Sequence, residues 1–145
     1  MTTVTDDSLH HLTEAACWAL LGSESLGRLG IVVGDDLELF PINYRVHGDR
    51  LLFRTAEGTK LAALTVHDRV VFEVDGLTPT TAWSVVVKGT AHALEREAEI
   101  LEAETNRPES WLPTVKTRFV AITPTSITGR GFHRGPEPEL DPAAF

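Results

Sequence analysis

The feature that most limits the fold of this chain is a hydrophobic period of two that returns in short runs between turn signals. From Gly27, the residues Leu29, Ile31 and Val33 alternate with their neighbours, Gly34-Asp35-Asp36 offers a turn, and Leu37 and Leu39 resume the alternation toward Phe40. Pro41 cannot donate to a ladder, so the strand is predicted to be an edge there or to bulge. Asn43 and Tyr44 follow, and His47-Gly48-Asp49 makes a second turn before Leu51-Leu52-Phe53-Arg54. Further runs span Val70 to Val74, Trp83 to Leu94 with Gly89 as a bulge or bend, and Arg118 to Thr128 interrupted at Pro124. Six short strands with turn signals every ~8–12 residues point to a mainly β domain, a small closed or partly closed barrel.

Three short helices fit between the strands. Thr13 is an N-cap candidate for a helix to about Leu21, with Glu14 at its positive end and Gly22 as the expected stop. The second runs from Lys60 to Val66, and the third, rich in Ala, Glu and Leu, from Glu95 to Thr105. A length of 145 residues fits one domain. We divide the chain into a flexible segment 1–11, the barrel domain 12–131 and a loose Pro-rich tail 132–145.

Charge and cysteine usage then remove several function classes. Thirteen Lys and Arg against twenty-one Asp and Glu leave a net charge of −8, which argues against binding nucleic acid or an anionic membrane. Cys17 is the only cysteine, so there is no intrachain disulfide and no thiolate metal cluster. It reads as a small buried residue of the first helix. No apolar run approaches the ~20 residues of a membrane-spanning helix. The acidic, polar opening MTTVTDDSLHH is unlike a secretory signal, so the expected location is the cytoplasm. The six histidines have no metal-ligand spacing, and no metal site is expected.

Phe53-Arg54-Thr55-Ala56-Glu57-Gly58-Thr59-Lys60 carries the strongest chemical signal. A strand end bearing Arg54 and Thr55 passes through a Gly-containing turn into a helix whose first turn bears Thr59 and Lys60. Free N–H groups at a helix start, joined by a guanidinium, two hydroxyls and an ammonium, make a phosphate cradle. The same residues in isolation also read as a surface loop of solvated charges. It is not a nucleoside-triphosphate loop, because Thr59 separates Gly58 from Lys60. Pro41-Ile42-Asn43-Tyr44 is the second candidate. The proline frees backbone groups from the ladder, and Asn43 adds a donor and an acceptor suited to the edge of a planar heterocycle. Taken alone, an edge-strand proline beside a turn-side Asn is the commoner explanation of such a stretch. Arg107 and Lys116 lie in a loop without strand–turn–helix context and are expected to contribute less to anion binding. The loops Asp75 to Ala82 and Asn106 to Lys116 are expected to supply pocket walls.

Taken in order, several segments resemble the split-barrel flavoproteins of the pyridoxamine 5′-phosphate oxidase-like superfamily, most closely its nitroimidazole-resistance-type branch. They are Leu26-Gly27-Arg28-Leu29-Gly30, Phe40-Pro41-Ile42-Asn43-Tyr44, Leu52 to Lys60, Val70 to Asp75, Trp83 to Ala91 and Ile127-Thr128-Gly129-Arg130. The resemblance implies a six-stranded split β-barrel that forms a homodimer with FMN at the subunit interface. It also implies FMN phosphate on Arg54, Thr55 and Lys60 with Thr59 assisting, and the isoalloxazine edge against Pro41, Ile42 and Asn43. Branch members often carry His where this chain has Arg54, so a His-linked role does not transfer. The substrate-binding carboxy-terminal motif of true pyridoxamine phosphate oxidases is missing, so vitamin B6 oxidation is not expected. The function implied is an FMN-dependent oxidoreductase acting on a small molecule. A non-catalytic flavin or deazaflavin carrier and a deazaflavin-dependent reductase are the alternatives, and related families bind haem.

Overall fold

The computed structural model describes residues 9–105, 107–108 and 118–135. Its elements, in chain order, are β1 (Leu9–His11), α1 (Glu14–Ser23), β2 (Leu26–Val33), β3 (Asp36–His47), β4 (Arg50–Thr55), α2 (Thr59–Val66), β5 (Arg69–Leu77), β6 (Thr81–Ala93), α3 (Glu97–Thr105) and β7 (Arg118–His133). The strands pair in the order β1-β7-β4-β3-β2-β5-β6, and β6 pairs back onto β7. Six strands, β2 to β7, therefore close a barrel, and they correspond to the six expected from the alternation.

The strand count is seven rather than six. The addition is β1, which pairs antiparallel with β7 through Leu9↔Phe132, His10↔Gly131 and His11↔Arg130. All three of its residues are exposed, so it carries no alternation for a sequence reading to find. It forms because β7 runs on past Thr128 to His133 and leaves an edge beyond its pairing with β4. Pro124 does not break β7. The register slips between Lys88 and Gly89 instead, and Thr125 Oγ1 donates to the Lys88 carbonyl at 3.1 Å across the irregularity.

The two early turns are two-residue hairpin loops led by Gly34 and Gly48, each at φ 63°. Helix α1 runs two residues further than expected: Thr13 caps it by accepting from Ala16 N–H at 3.1 Å, but Gly22 lies inside the helix and Ser23 ends it. The loop expected as pocket wall over Asp75 to Ala82 is mostly strand: only 78–80 lies between β5 and β6, a tight hairpin closed by Thr78 N–H donating to the Thr81 carbonyl at 2.9 Å.

Two apolar cores result. The barrel interior gathers Leu29, Ile31, Ile42, Tyr44, Leu51, Phe53, Phe72, Val74, Val85, Val87, Val120 and Ile122, with Cys17 and Leu21 of α1 plugging one end. Tyr44 stacks edge-on against Phe72 with ring centroids 4.8 Å apart, and its hydroxyl donates to the Leu21 carbonyl at 2.6 Å, tying α1 to the barrel. Burial pushes the Tyr44 phenol above its ordinary range, with Glu24 adding to the effect. A smaller core lies outside the barrel, where Ala103 and Ile100 of α3 cover Leu52, Phe119 and Ala121. Among the described residues no helix is long and apolar enough to cross a membrane.

Candidate functional site

The barrel is split along β3. Residues Tyr44 to His47 pair with β4, whereas Asp36 to Asn43 form their ladder with β2, and Asp36 to Ile42 have no second strand beside them among the described residues. The last β3–β4 pair is Tyr44↔Phe53. One further step in that register would set Asn43 against Arg54, and the ladder stops there. Pro41 lies on the open stretch with its register to β2 unbroken, so it marks an edge and not a bulge. The two candidate segments thus flank one opening.

Helix α2 brings the third part. Its N-cap, Gly58, offers no side-chain bond to the first-turn N–H groups. Lys60 in that turn places Nζ 4.6 Å from the centre of the Phe40 ring, so the helix start sits against β3 at the residue before Pro41. Glu57, the one acid in the connecting turn, is engaged by Arg118 at 3.0 Å, which limits its repulsion of an anion.

The expected site residues do not all present side chains to this opening. Alternation along β4 sends Arg54 and Thr55 to opposite faces. Thr55 is buried, facing the barrel interior, and its hydroxyl donates to the Ala56 carbonyl at 3.2 Å. Ile42 is likewise a core residue, and its backbone sits opposite Gly27 in the β2–β3 ladder. Pro41 is exposed, and Thr59 is exposed at the helix start. Asn43 is a strand residue and not a turn residue; its Nδ2 donates to the Ser25 carbonyl at 3.3 Å, bracing the start of β2.

Arg54 is the most telling residue. It lies half-buried on the outer face of β4, beside the small core under α3, and its Nε is buried with no hydrogen-bond partner. An orphaned guanidinium N–H is costly unless something satisfies it. Desolvation lowers the Arg54 pKa; the nearby charge of Arg107 lowers it further, and Glu104 opposes both. Arg107, expected from the sequence to contribute less to anion binding, follows α3 with its side chain 57% exposed and paired with Glu104 at 3.8 Å. Lys116 and most of the loop 106–116 lie outside the described residues.

Two further features border the opening. On the outer face Arg28, paired in register with Pro41, reaches Glu73 at 3.1 Å and Asp75 at 3.2 Å. Beside them an apolar groove of about 490 Å³ is lined by Gly30, Leu37, Leu39, Val71 and Lys88, with Leu37 84% and Leu39 68% exposed. No group of His, Cys, Asp and Glu that could hold a metal occurs among the described residues.

Comparison with known proteins bears on this geometry. The family model for pyridoxamine 5′-phosphate oxidase matches residues 13–131. The chain belongs to that family. It is 43% identical over 94 residues to an uncharacterised protein of Mycobacterium tuberculosis, covering 65% of this chain and 86% of that one. A solved structure from Corynebacterium glutamicum is 38% identical with TM-score 0.80, covering 87% of this chain and 99% of its own. The FAD binding protein of Mycobacterium smegmatis is 39% identical with TM-score 0.73, covering 86% of this chain and 98% of that one. The split-barrel architecture and the flavoprotein family implied by the sequence resemblance both stand.

Proposed function

We propose that this protein is a flavin-dependent oxidoreductase that holds an FMN unit, free or as part of FAD, in the opening between β3 and β4. The observation that carries the reading is the orphaned Nε of Arg54 at the edge of that opening, a buried cationic donor with no partner among the described residues. A phosphate is a fitting partner for it, and the α2 start with Lys60 and Thr59 supplies further donors on the other side of the strand end. The stretch Pro41-Ile42-Asn43, laddered to β2 and not to β4, offers a flat ring a place to lie, with the Asn43 side chain at its polar edge.

A bound flavin supplies the electron-carrying chemistry. The chain's own residues then have limited tasks: to neutralise the phosphate, to orient the ring along β3, and to keep water from its buried face. This division of labour accounts for a site without a nucleophile or an acid–base pair. The substrate in this reading is a small molecule admitted beside the ring.

The working form is a homodimer with the cofactor at the interface. The open edge of β3 and the exposed Leu37 and Leu39 next to it support this, since an uncovered apolar edge invites a second chain. We place the reaction in the cytoplasm, where a lone buried thiol such as Cys17 stays reduced.

Titration of the purified protein with FMN, followed by quenching of flavin fluorescence, tests the binding claim. Saturable binding at one flavin per chain is expected, and absence of binding would overturn it. Flavin-dependent oxidation of a reduced nicotinamide in the presence of an electron acceptor tests the enzymatic claim; a protein that binds flavin but never turns over is a carrier.

A further inference from the structure

We propose that the apolar groove on the outer face of β2, β3, β5 and β6 binds an elongated apolar molecule with one anionic head. Arg69 and Lys88 hold the head, and the tail lies over Gly30 toward Leu39. The site is separate from the flavin opening and does not depend on the flavin reading.

The sheet register builds the floor. Leu39 pairs with Gly30, Gly30 with Val71, and Val71 with Lys88, so one cross-strand row runs over four strands. Direct partners share a face, and the flanking Leu29, Ile31, Phe72 and Val87 are core residues, so the row points outward. At ~4.8 Å per strand it spans about 14 Å from Leu39 to Lys88. Gly30 is its low point: a methyl group there would lie 2.8 Å from Val71 Cγ1, in the space between Leu39 and Val71. The result is the groove of about 490 Å³, with exposed Leu37, Leu39 and Val71 around it. Single exposed apolar residues are ordinary, whereas a contiguous set around a concave floor marks a binding surface.

Charge decides the occupant. Arg69 and Lys88 both line the groove. Arg69 pairs with Thr90 and stands two residues before Val71, so it is the diagonal neighbour of Lys88 on the same face, about 7–8 Å away at the backbone. Neither side chain pairs with a carboxylate among the described residues, while Glu73 and Asp75 further along β5 are taken up by Arg28. In a chain of net charge −8, the fold thus sets two uncompensated cations side by side at one end of an apolar groove. They repel each other until an anion lies between them, and their long stems let both heads reach one. An apolar tail on that anion covers the remaining floor. A second chain over the open edge of β3 would close the groove along Leu37 and Leu39 and leave its cationic end accessible.

The test is calorimetric titration with decanoate below its micelle-forming concentration, compared with decan-1-ol (tail only) and acetate (head only). The wild type should bind decanoate saturably at one per chain, about fivefold or more tightly than decan-1-ol, and acetate not measurably. A double variant, Arg69→Ala with Lys88→Ala, should bind the two ten-carbon ligands equally. Val71→Glu, which sets a carboxylate beside both cations, should lose the preference for decanoate, and the uncharged Val71→Gln should keep it. All three positions are exposed, so folding is not at stake. Equal binding of decanoate and decan-1-ol by the wild type overturns the proposal, as does a preference that survives in the double variant. No uptake of decanoate overturns it too; if Leu37→Glu then turns a dimer into a monomer by light scattering, the occupant is a second copy of this chain. None of these results moves the FMN titration that tests the flavin reading.

Discussion

Replacing Arg54 by methionine should make the empty protein more stable and the flavin-loaded protein less so. The Arg54 Nε is buried without a partner among the described residues, which costs on the order of 1–3 kcal/mol. Arg54 as a whole is only half-buried, so the lower end applies, about 1 kcal/mol. Methionine keeps an unbranched apolar stem of similar reach on the face shared with Leu52 and Phe119, which limits any packing loss. For a domain of this size about 1 kcal/mol corresponds to a rise of roughly 2–4 °C in Tm. Ligand stabilisation moves the other way. At a flavin concentration of roughly 100 Kd the wild type gains about 2.7 kcal/mol. Losing a charged hydrogen bond weakens binding by ~10–150-fold, which cuts that gain in the variant to between about 0.3 and 1.4 kcal/mol. The rank order of the two proteins should therefore reverse between apo and holo. Thermal unfolding followed by circular dichroism, with flavin-stripped protein and again with added FMN, reads both quantities. A variant whose apo Tm drops, or whose FMN-induced rise equals that of the wild type, would refute the reasoning.

Other perturbations separate the site from its scaffold. Lys60→Ala should weaken flavin binding by ~10–150-fold and cost the apo protein about 0.5–1 kcal/mol through the lost contact with Phe40, measured by titration and by denaturant unfolding. At Gly89 a methyl group would lie 2.2 Å from the Thr123 carbonyl oxygen, so Gly89→Ala should cost about 1–3 kcal/mol at the β6–β7 seam. Gly22→Ala, in open space inside α1, should instead stabilise by about 0.5–1 kcal/mol on the same assay. Burial and neighbouring Asp75 hold the Glu73 carboxyl above the ordinary carboxylate value, against the opposing pull of Arg28. The folded state thus holds that proton more tightly than the unfolded one, and stability is lost as pH rises through the raised value. Glu73→Gln should flatten that fall in a series of melting curves from acid toward neutral pH.

Much of the fold was legible because barrel strands advertise themselves. Leu29, Ile31 and Val33, or Leu51 and Phe53, alternate because one face of each strand is buried in the barrel, and that pattern survives without any tertiary information. Gly89 was legible as an irregularity for a related reason, since a residue without a side chain fits where two backbones approach closely. β1 was not, because Leu9, His10 and His11 bury nothing and pair only with an edge that exists once β7 has folded. Gly22 misled because a glycine near a helix end favours a stop only when the following chain turns away, and here Ser23 still continues the turn.

The placement of the candidate site residues was half legible. Lys60 and Thr59 could be read from a strand–turn–helix pattern, and Pro41 from its missing N–H. The inward positions of Ile42 and Thr55 were available in the same alternation: neighbours of outward Pro41, Asn43 and Arg54 must face the core. The small core under α3 was not available at all: Ile100 and Ala103 meet Leu52, Phe119 and Ala121 through a contact between segments far apart in sequence.

The central claim is that the opening between β3 and β4 holds a flavin. It is tested most directly by mass spectrometry of the small molecule released on denaturing the protein, purified from a host that makes both flavins and the deazaflavin coenzyme. The account predicts a flavin mass at about one per chain from the wild type, and strongly reduced release from a variant carrying both Arg54→Met and Lys60→Ala. Release of a deazaflavin or haem would contradict it, as would equal flavin release from that double variant.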